Sequence, residues 1–158
     1  MTEVMEIKKS IYSAFSEIAS AIGYSDIHGR IIAALLVSNK KLSLEEVAKE
    51  TGYSISTISL SLDFLEFLGM IKKVKEAGDR KLYIELHGSL LESLKKAFIL
   101  KIQKSITDSL NNFENYKETL KKSSDDERKK VMNVLNILEN EIKKLDNYIN
   151  LLSKLKLP

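Results

Sequence analysis

The chain has 158 residues, 44% hydrophobic and 30% charged, with 25 Lys and Arg against 22 Asp and Glu and no cysteine. A chain of this length builds one domain, or a small domain with an added helical element. The lack of cysteine excludes disulfides, thiolate metal sites and cysteine nucleophiles, and no run of apolar residues is long enough to span a bilayer.

The opening residues Met1-Thr2-Glu3-Val4-Met5-Glu6 carry acids where a secretory signal carries a basic start, so a cytoplasmic chain without a membrane partner is expected. Residues 3–21 place Val4, Ile7, Ile11, Phe15 and Ile18 at steps of three and four, the period of an amphipathic helix, which Gly23 stops. Asp26 reads as the N-cap of a second helix over 27–38. Ile31, Ile32, Ala34, Leu35, Leu36 and Val37 make that helix apolar on most sides, so it should lie buried at the centre of the fold.

Asn39-Lys40-Lys41 is a turn, and Leu42 starts a very short strand. Ser43 and Glu46 form a capping box for a helix over 44–51, which ends at Gly52. Ser54 caps the next helix, 55–68, whose inward face is Ile58, Leu62, Leu65 and Leu68, with Gly69 as its end. The period then changes to two. Residues 70–76 and 80–86 alternate, joined by Ala77-Gly78-Asp79, where glycine supplies the positive φ of a tight turn. After Gly88 a helical pattern returns through Leu91, Leu94, Phe98, Ile102, Ile106, Leu110, Phe113 and Leu120. Ser123-Ser124-Asp125-Asp126 breaks it and caps a final helix over 125–156.

Helix, helix, helix-turn-helix and β-hairpin, in that order, make a winged helix-turn-helix plan. The expected fold class is therefore mainly α, with a small β-hairpin wing and long terminal helices. Three segments are expected: an N-terminal helix over 1–22, a winged domain over 23–88 and a helical dimerisation region over 89–158. In this plan 55–68 is the recognition helix, lying in the major groove of double-stranded DNA. Its candidate contacts are Ser54, Ser56, Thr57, Ser59, Leu60 and Ser61, small or hydroxyl-bearing groups that let a helix N-terminus approach phosphates. The wing supplies cations: Lys72, Lys73, Lys75, Arg80 and Lys81, beside Gly78, stand against Glu76 and Asp79 for a local net of +3. Such a hairpin suits the backbone or minor groove.

Residues Gly23 to Tyr83 resemble the MarR superfamily, and in particular its GbsR-like branch. The matching features are Gly23 with Gly29-Arg30, then Ser43-Leu44-Glu45-Glu46, then Ser54, Ser56 and Ser59 at the recognition helix, and Gly78-Asp79-Arg80-Lys81 at the wing tip. The resemblance implies a homodimeric DNA-binding transcriptional regulator, often a repressor, with terminal helices forming the dimer. Ile55 and Leu60 depart from it, because members commonly place basic residues there.

The last helix carries a heptad seam of its own. Leu135, Ile142 and Ile149 fall at a, and Val131, Leu138, Leu145 and Leu152 at d. The seam needs a partner, either the 89–121 helix of the same chain or another subunit, and both together are favoured because Met132, Val134, Ile137, Tyr148, Leu151 and Leu155 widen the stripe. Charge follows the same division, with a net of −1 over residues 1–87 and +4 over 88–158.

No phosphate-cradling glycine loop, nucleophile elbow or ligand cluster is present, so no enzyme activity, cofactor or metal is expected. His28 at a helix start and His87 at a strand end read as cap or surface residues. A cleft lined by Tyr12, Phe15, Tyr24 or Phe98 is the candidate site for an apolar small-molecule effector. Two other functions fit the same plan: a winged-helix protein-interaction module and a low-specificity architectural DNA binder.

Overall fold

A computed structural model describes residues 2–123 and 125–158. Six helices and three short strands follow in the order α1 (Glu3–Ala21), α2 (Asp26–Ser38), β1 (Leu42–Ser43), α3 (Leu44–Thr51), α4 (Ile55–Phe67), β2 (Ile71–Lys75), β3 (Leu82–Leu86), α5 (Leu90–Lys121) and α6 (Glu127–Lys154). This is the mainly helical winged architecture that the sequence implies. None of the described helices is long and apolar enough to cross a membrane.

The chain forms two compact units, Met1–Ala97 and Phe98–Pro158. The N-terminal helix belongs with the winged elements, because α1 packs directly on α2. The contact runs through Gly29: a Cβ built there would lie 2.2 Å from the Phe15 carbonyl oxygen and 2.8 Å from the Ser16 nitrogen. Only a residue without a side chain lets the two backbones approach so closely.

The core of the first unit joins α2, α3, α4 and the sheet. Ile31, Leu35, Val47, Ile58, Leu62, Leu65, Ile71 and Ile84 are all buried, which accounts for the nearly all-round apolar sequence of α2. The three strands form an antiparallel sheet in the order β1-β3-β2, with Leu42 opposite Ile84 and Lys73 opposite Ile84 on the other side. Ser25, and not Asp26, occupies the N-cap of α2, which places the Asp26 carboxylate in the first helical turn.

In the second unit, Ile99, Ile106 and Ile149 form a buried cluster with Ile102, Leu110, Ile142 and Leu152 packed against it. Ile99 takes the inward place, while Phe98, expected there, is 37% exposed. Lys117 of α5 donates to Glu139 of α6, which also accepts from Lys143. These two lysines pull the Glu139 carboxyl down to about 2. The helix α6 begins at Glu127; of the expected cap sequence, Ser124 lies outside the described residues.

Candidate nucleic-acid interface

The helix-turn-helix rests on short polar ties. In α3 the capping box is present: the Glu46 amide donates to Ser43 Oγ at 3.2 Å, and the Ser43 amide donates to Glu46 Oε2 at 2.7 Å. The turn that follows is tied to α2. Tyr53 Oη donates to Asp26 Oδ2 at 2.6 Å, and Arg30 Nε donates to the same oxygen at 2.7 Å. The Tyr53 hydrogen bond, with help from Arg30, holds the Asp26 carboxyl below its usual range, and the same bond raises the Tyr53 phenol. The angle at which α4 leaves α3 is thereby linked to the central helix.

At the start of α4, Ser54 Oγ accepts from the Thr57 amide at 3.3 Å and shares hydrogen bonds with Thr57 Oγ1 at 2.8 Å and Ser56 Oγ at 3.2 Å. All three side chains are exposed, and the first turn of α4 contains no acid. The helix terminus thus keeps its partial positive charge for an anion. Ser59 is half-buried, and its hydroxyl donates to the Ile55 carbonyl at 3.0 Å, so its proton is committed within the helix. Leu60 stands 75% exposed and Ile55 46%.

Ser61 corrects the sequence-based site. It was grouped with the outward hydroxyls, but it is buried at 8% exposure. The reason is angular: Ser61 follows Ile58 by three residues and precedes Leu65 by four, so it shares their inward stripe.

The wing is a five-residue ladder from Ile71–Leu86 to Lys75–Leu82, and its tip is organised by one acid. Asp79 Oδ1 accepts from the Lys81 amide at 2.9 Å and Oδ2 from Tyr83 Oη at 2.9 Å. Both bonds lower the Asp79 carboxyl, and the second raises the Tyr83 phenol. The sequence places Asp79 in the turn and among the charges of the wing; its anchoring part depends on side-chain hydrogen bonds that no periodicity reports. Arg80, held between these anchors, is exposed.

The wing's cations are not equivalent. Lys73 is bound to Asp63, with Glu66 at 3.8 Å, so α4 neutralises it. Conversely, Lys41 pairs with Glu76 and lies 5.0 Å from the Tyr83 ring centre, which removes an opposing acid from the hairpin. Lys72, Lys75, Arg80 and Lys81 carry no ion pair among the described residues.

Within the first unit the candidate effector residues do not gather in one place. Phe15 and Tyr24, with His28, Ile32, Phe64 and Leu94, line an apolar cavity of about 30 Å³ in the first unit. Tyr12 lines a separate groove with Lys8, Lys9, Arg30 and Glu50, and Phe98 belongs to the second unit. His28 is half-buried. Its ring packs 5.0 Å from Phe64 and edge-on to Tyr24, its Nδ1 is buried without a hydrogen-bond partner among the described residues, and burial pushes its pKa down. His87, by contrast, is exposed, and its amide donates to the Met70 carbonyl.

The heptad seam divides lengthwise. Leu135 and Ile149 are buried, and Ile142 and Leu152 pack on the α5–α6 cluster. Val131, Leu138 and Leu145 remain 43%, 43% and 40% exposed, alongside Val134, Ile137, Tyr148 and Leu151. The a positions and Leu152 therefore serve the intrachain hairpin, while most of the d positions leave an apolar stripe open.

No protein-family model and no curated protein matches the sequence. Among solved structures, the chain is similar to a protein described as a transcriptional regulator, with a TM-score of 0.59 and 19% identity over 94% of each chain. It is also similar, with a TM-score of 0.44 and 19% identity over 88% of this chain and 94% of the other, to a Staphylococcus aureus MepR mutant bound to an oligodeoxyribonucleotide. A third, NadR in complex with 4-hydroxyphenylacetate, has a TM-score of 0.44 and 18% identity over 89% of each chain. The first likeness establishes the fold over nearly the whole chain; at their lower scores the other two add nothing to it.

Proposed function

We propose that the protein is a dimeric transcriptional regulator that binds double-stranded DNA, with α4 in the major groove and the β2–β3 wing on the backbone or minor groove. The observation that carries this reading is the pairing of two features on one winged scaffold. An acid-free, hydroxyl-lined N-terminal turn of α4 adjoins a hairpin whose Lys72, Lys75, Arg80 and Lys81 make no ion pair among the described residues, Lys81 standing near Asp79 and Glu46. Backbone amides and free cations both favour phosphate, and the hydroxyls can approach base edges.

Of the MarR-like branches, the GbsR-like one accords best with the wing-to-helix spacing, and a repressor is the form of regulation we favour. The dimer is supported by the apolar stripe that α6 leaves open and by Val4 and Ile7 of α1, 62% and 61% exposed. Two copies of α4 related by a two-fold axis would read half-sites about 10 base pairs apart. The protein works in the cytoplasm and carries out no catalysis on this reading. A small-molecule effector belongs to this reading, although the cavity of about 30 Å³ beside His28 has room for little more than a water.

The test is titration of the intact chain with the duplex upstream of its own gene and with a scrambled duplex of equal length, by fluorescence anisotropy at near-physiological salt. A preference of about a hundredfold or more for the upstream duplex is expected. Equal, salt-sensitive binding would replace this reading with an architectural DNA binder. Absence of binding to any duplex would leave the interaction module, which the bare Leu60 and the acids Asp63 and Glu66 on α4 favour.

A further inference from the structure

Leu60 is the most exposed of the large hydrophobic side chains among the described residues, at 75%, and it sits in the middle of α4. Ser56 precedes it by four residues and Thr57 by three, so exposed hydroxyls flank it on the N-terminal side. Phe67, one heptad further along, is also exposed, but Lys96 lies over its ring at 5.2 Å and donates to its carbonyl.

The composition of α4 limits what it can read. Between Ile55 and Phe67 there is no Lys, Arg, Asn or Gln, so neither the two-pronged contact to guanine nor that to adenine is available. Asp63 and Glu66, the carboxylates able to accept from cytosine, are both engaged by Lys73. Hydroxyls and two exposed aliphatic side chains remain, Leu60 at 75% and Ile55, at the helix start, at 46%. Of the four base edges in the major groove, only thymine presents an apolar group, its 5-methyl. The cations of the adjoining wing select a polyanion rather than an apolar protein partner.

We infer that Leu60 is a specificity-determining residue that packs on thymine 5-methyl groups, making thymine-bearing steps the preferred target at the centre of each half-site. This rests on the DNA-binding reading above. It converts the departure at this position from a missing cation into a different mode of recognition.

The test uses the full chain and a duplex enriched from a randomised pool, resynthesised with single thymines replaced by deoxyuridine. Pairing is kept and only the methyl is lost. At one or two positions per half-site, affinity should fall about fourfold, as expected for one lost apolar methyl contact. Leu60→Ala, a truncation of an exposed side chain, should bind thymine and deoxyuridine duplexes alike, whereas Arg80→Ala should keep the full ratio. Equal binding of both duplexes by the parent chain, or a surviving ratio in Leu60→Ala, would overturn the inference. Enrichment of no sequence despite duplex binding would overturn it too, while leaving DNA binding in place. Failure to bind any duplex would remove the underlying reading as well.

Discussion

Arg80 stands exposed at the wing tip, held there by the hydrogen bonds that Asp79 accepts from the Lys81 amide and Tyr83. Replacing it with Ala should weaken binding to all duplexes about equally and lower the slope of log affinity against log salt by about one, as loss of one phosphate contact requires. Asp79 gives a sharper case. By charge alone, Asp79→Ala should strengthen DNA binding; because Asp79 fixes the loop, we expect weaker binding, with Asp79→Asn falling between. A tighter Asp79→Ala complex would show that charge outweighs geometry there. His28 yields a pH effect of definite sign. Burial depresses its folded-state pKa below the ordinary 6.5, so between those values the unfolded chain takes up a proton that the folded chain does not. Stability is then fully present above 6.5 and is lost as pH falls towards the folded value. The thermal midpoint should drop between pH 7.5 and 5.5, and this part of the drop should vanish in His28→Phe.

Gly29 governs the largest element contact in the first unit. Because a Cβ there would collide with the α1 backbone and not with a movable side chain, Gly29→Ala must separate the two helices, at a cost of about 3 kcal/mol. The urea midpoint of unfolding measures it, and an unchanged midpoint would mean that α1 docks loosely. At this scale the sequence was largely legible. Apolar steps of three and four located the first, fourth and last two helices, the capping box of Ser43 and Glu46 located α3, and the alternation around Gly78 located the hairpin. What escaped it has no period. The ties Tyr53–Asp26, Tyr83–Asp79 and Lys73–Asp63 join residues by hydrogen bonds across turns or between elements. Ser61 was misplaced because its hydroxyl was weighed above its angle. The seam of α6 was visible as a seven-residue repeat, but a repeat cannot say which of its two edges faces α5.

In the whole molecule, the open stripe of Val131, Leu138 and Leu145 is the feature that calls for a second copy. Sedimentation equilibrium should give a dimer, and Leu138→Lys with Leu145→Lys should give a monomer of unchanged helicity. A monomeric parent chain would break the link between α6 and paired half-sites. Acid should act on the α5–α6 hairpin with the same sign as at His28 but in a lower window: with Glu139 lowered to about 2 by Lys117 and Lys143, its contribution is present above about 4.5 and disappears towards pH 2. Duplex binding by this protein requires that the wing and α4 present one face to DNA. Its most direct measurement is the salt dependence of duplex binding by the intact chain and by a variant with Lys72, Lys75, Arg80 and Lys81 all replaced by Ala. We expect the slope of the variant to be shallower by roughly three to four, at about 0.9 per lost phosphate contact, with circular dichroism unchanged. Identical slopes for the two proteins would contradict the account.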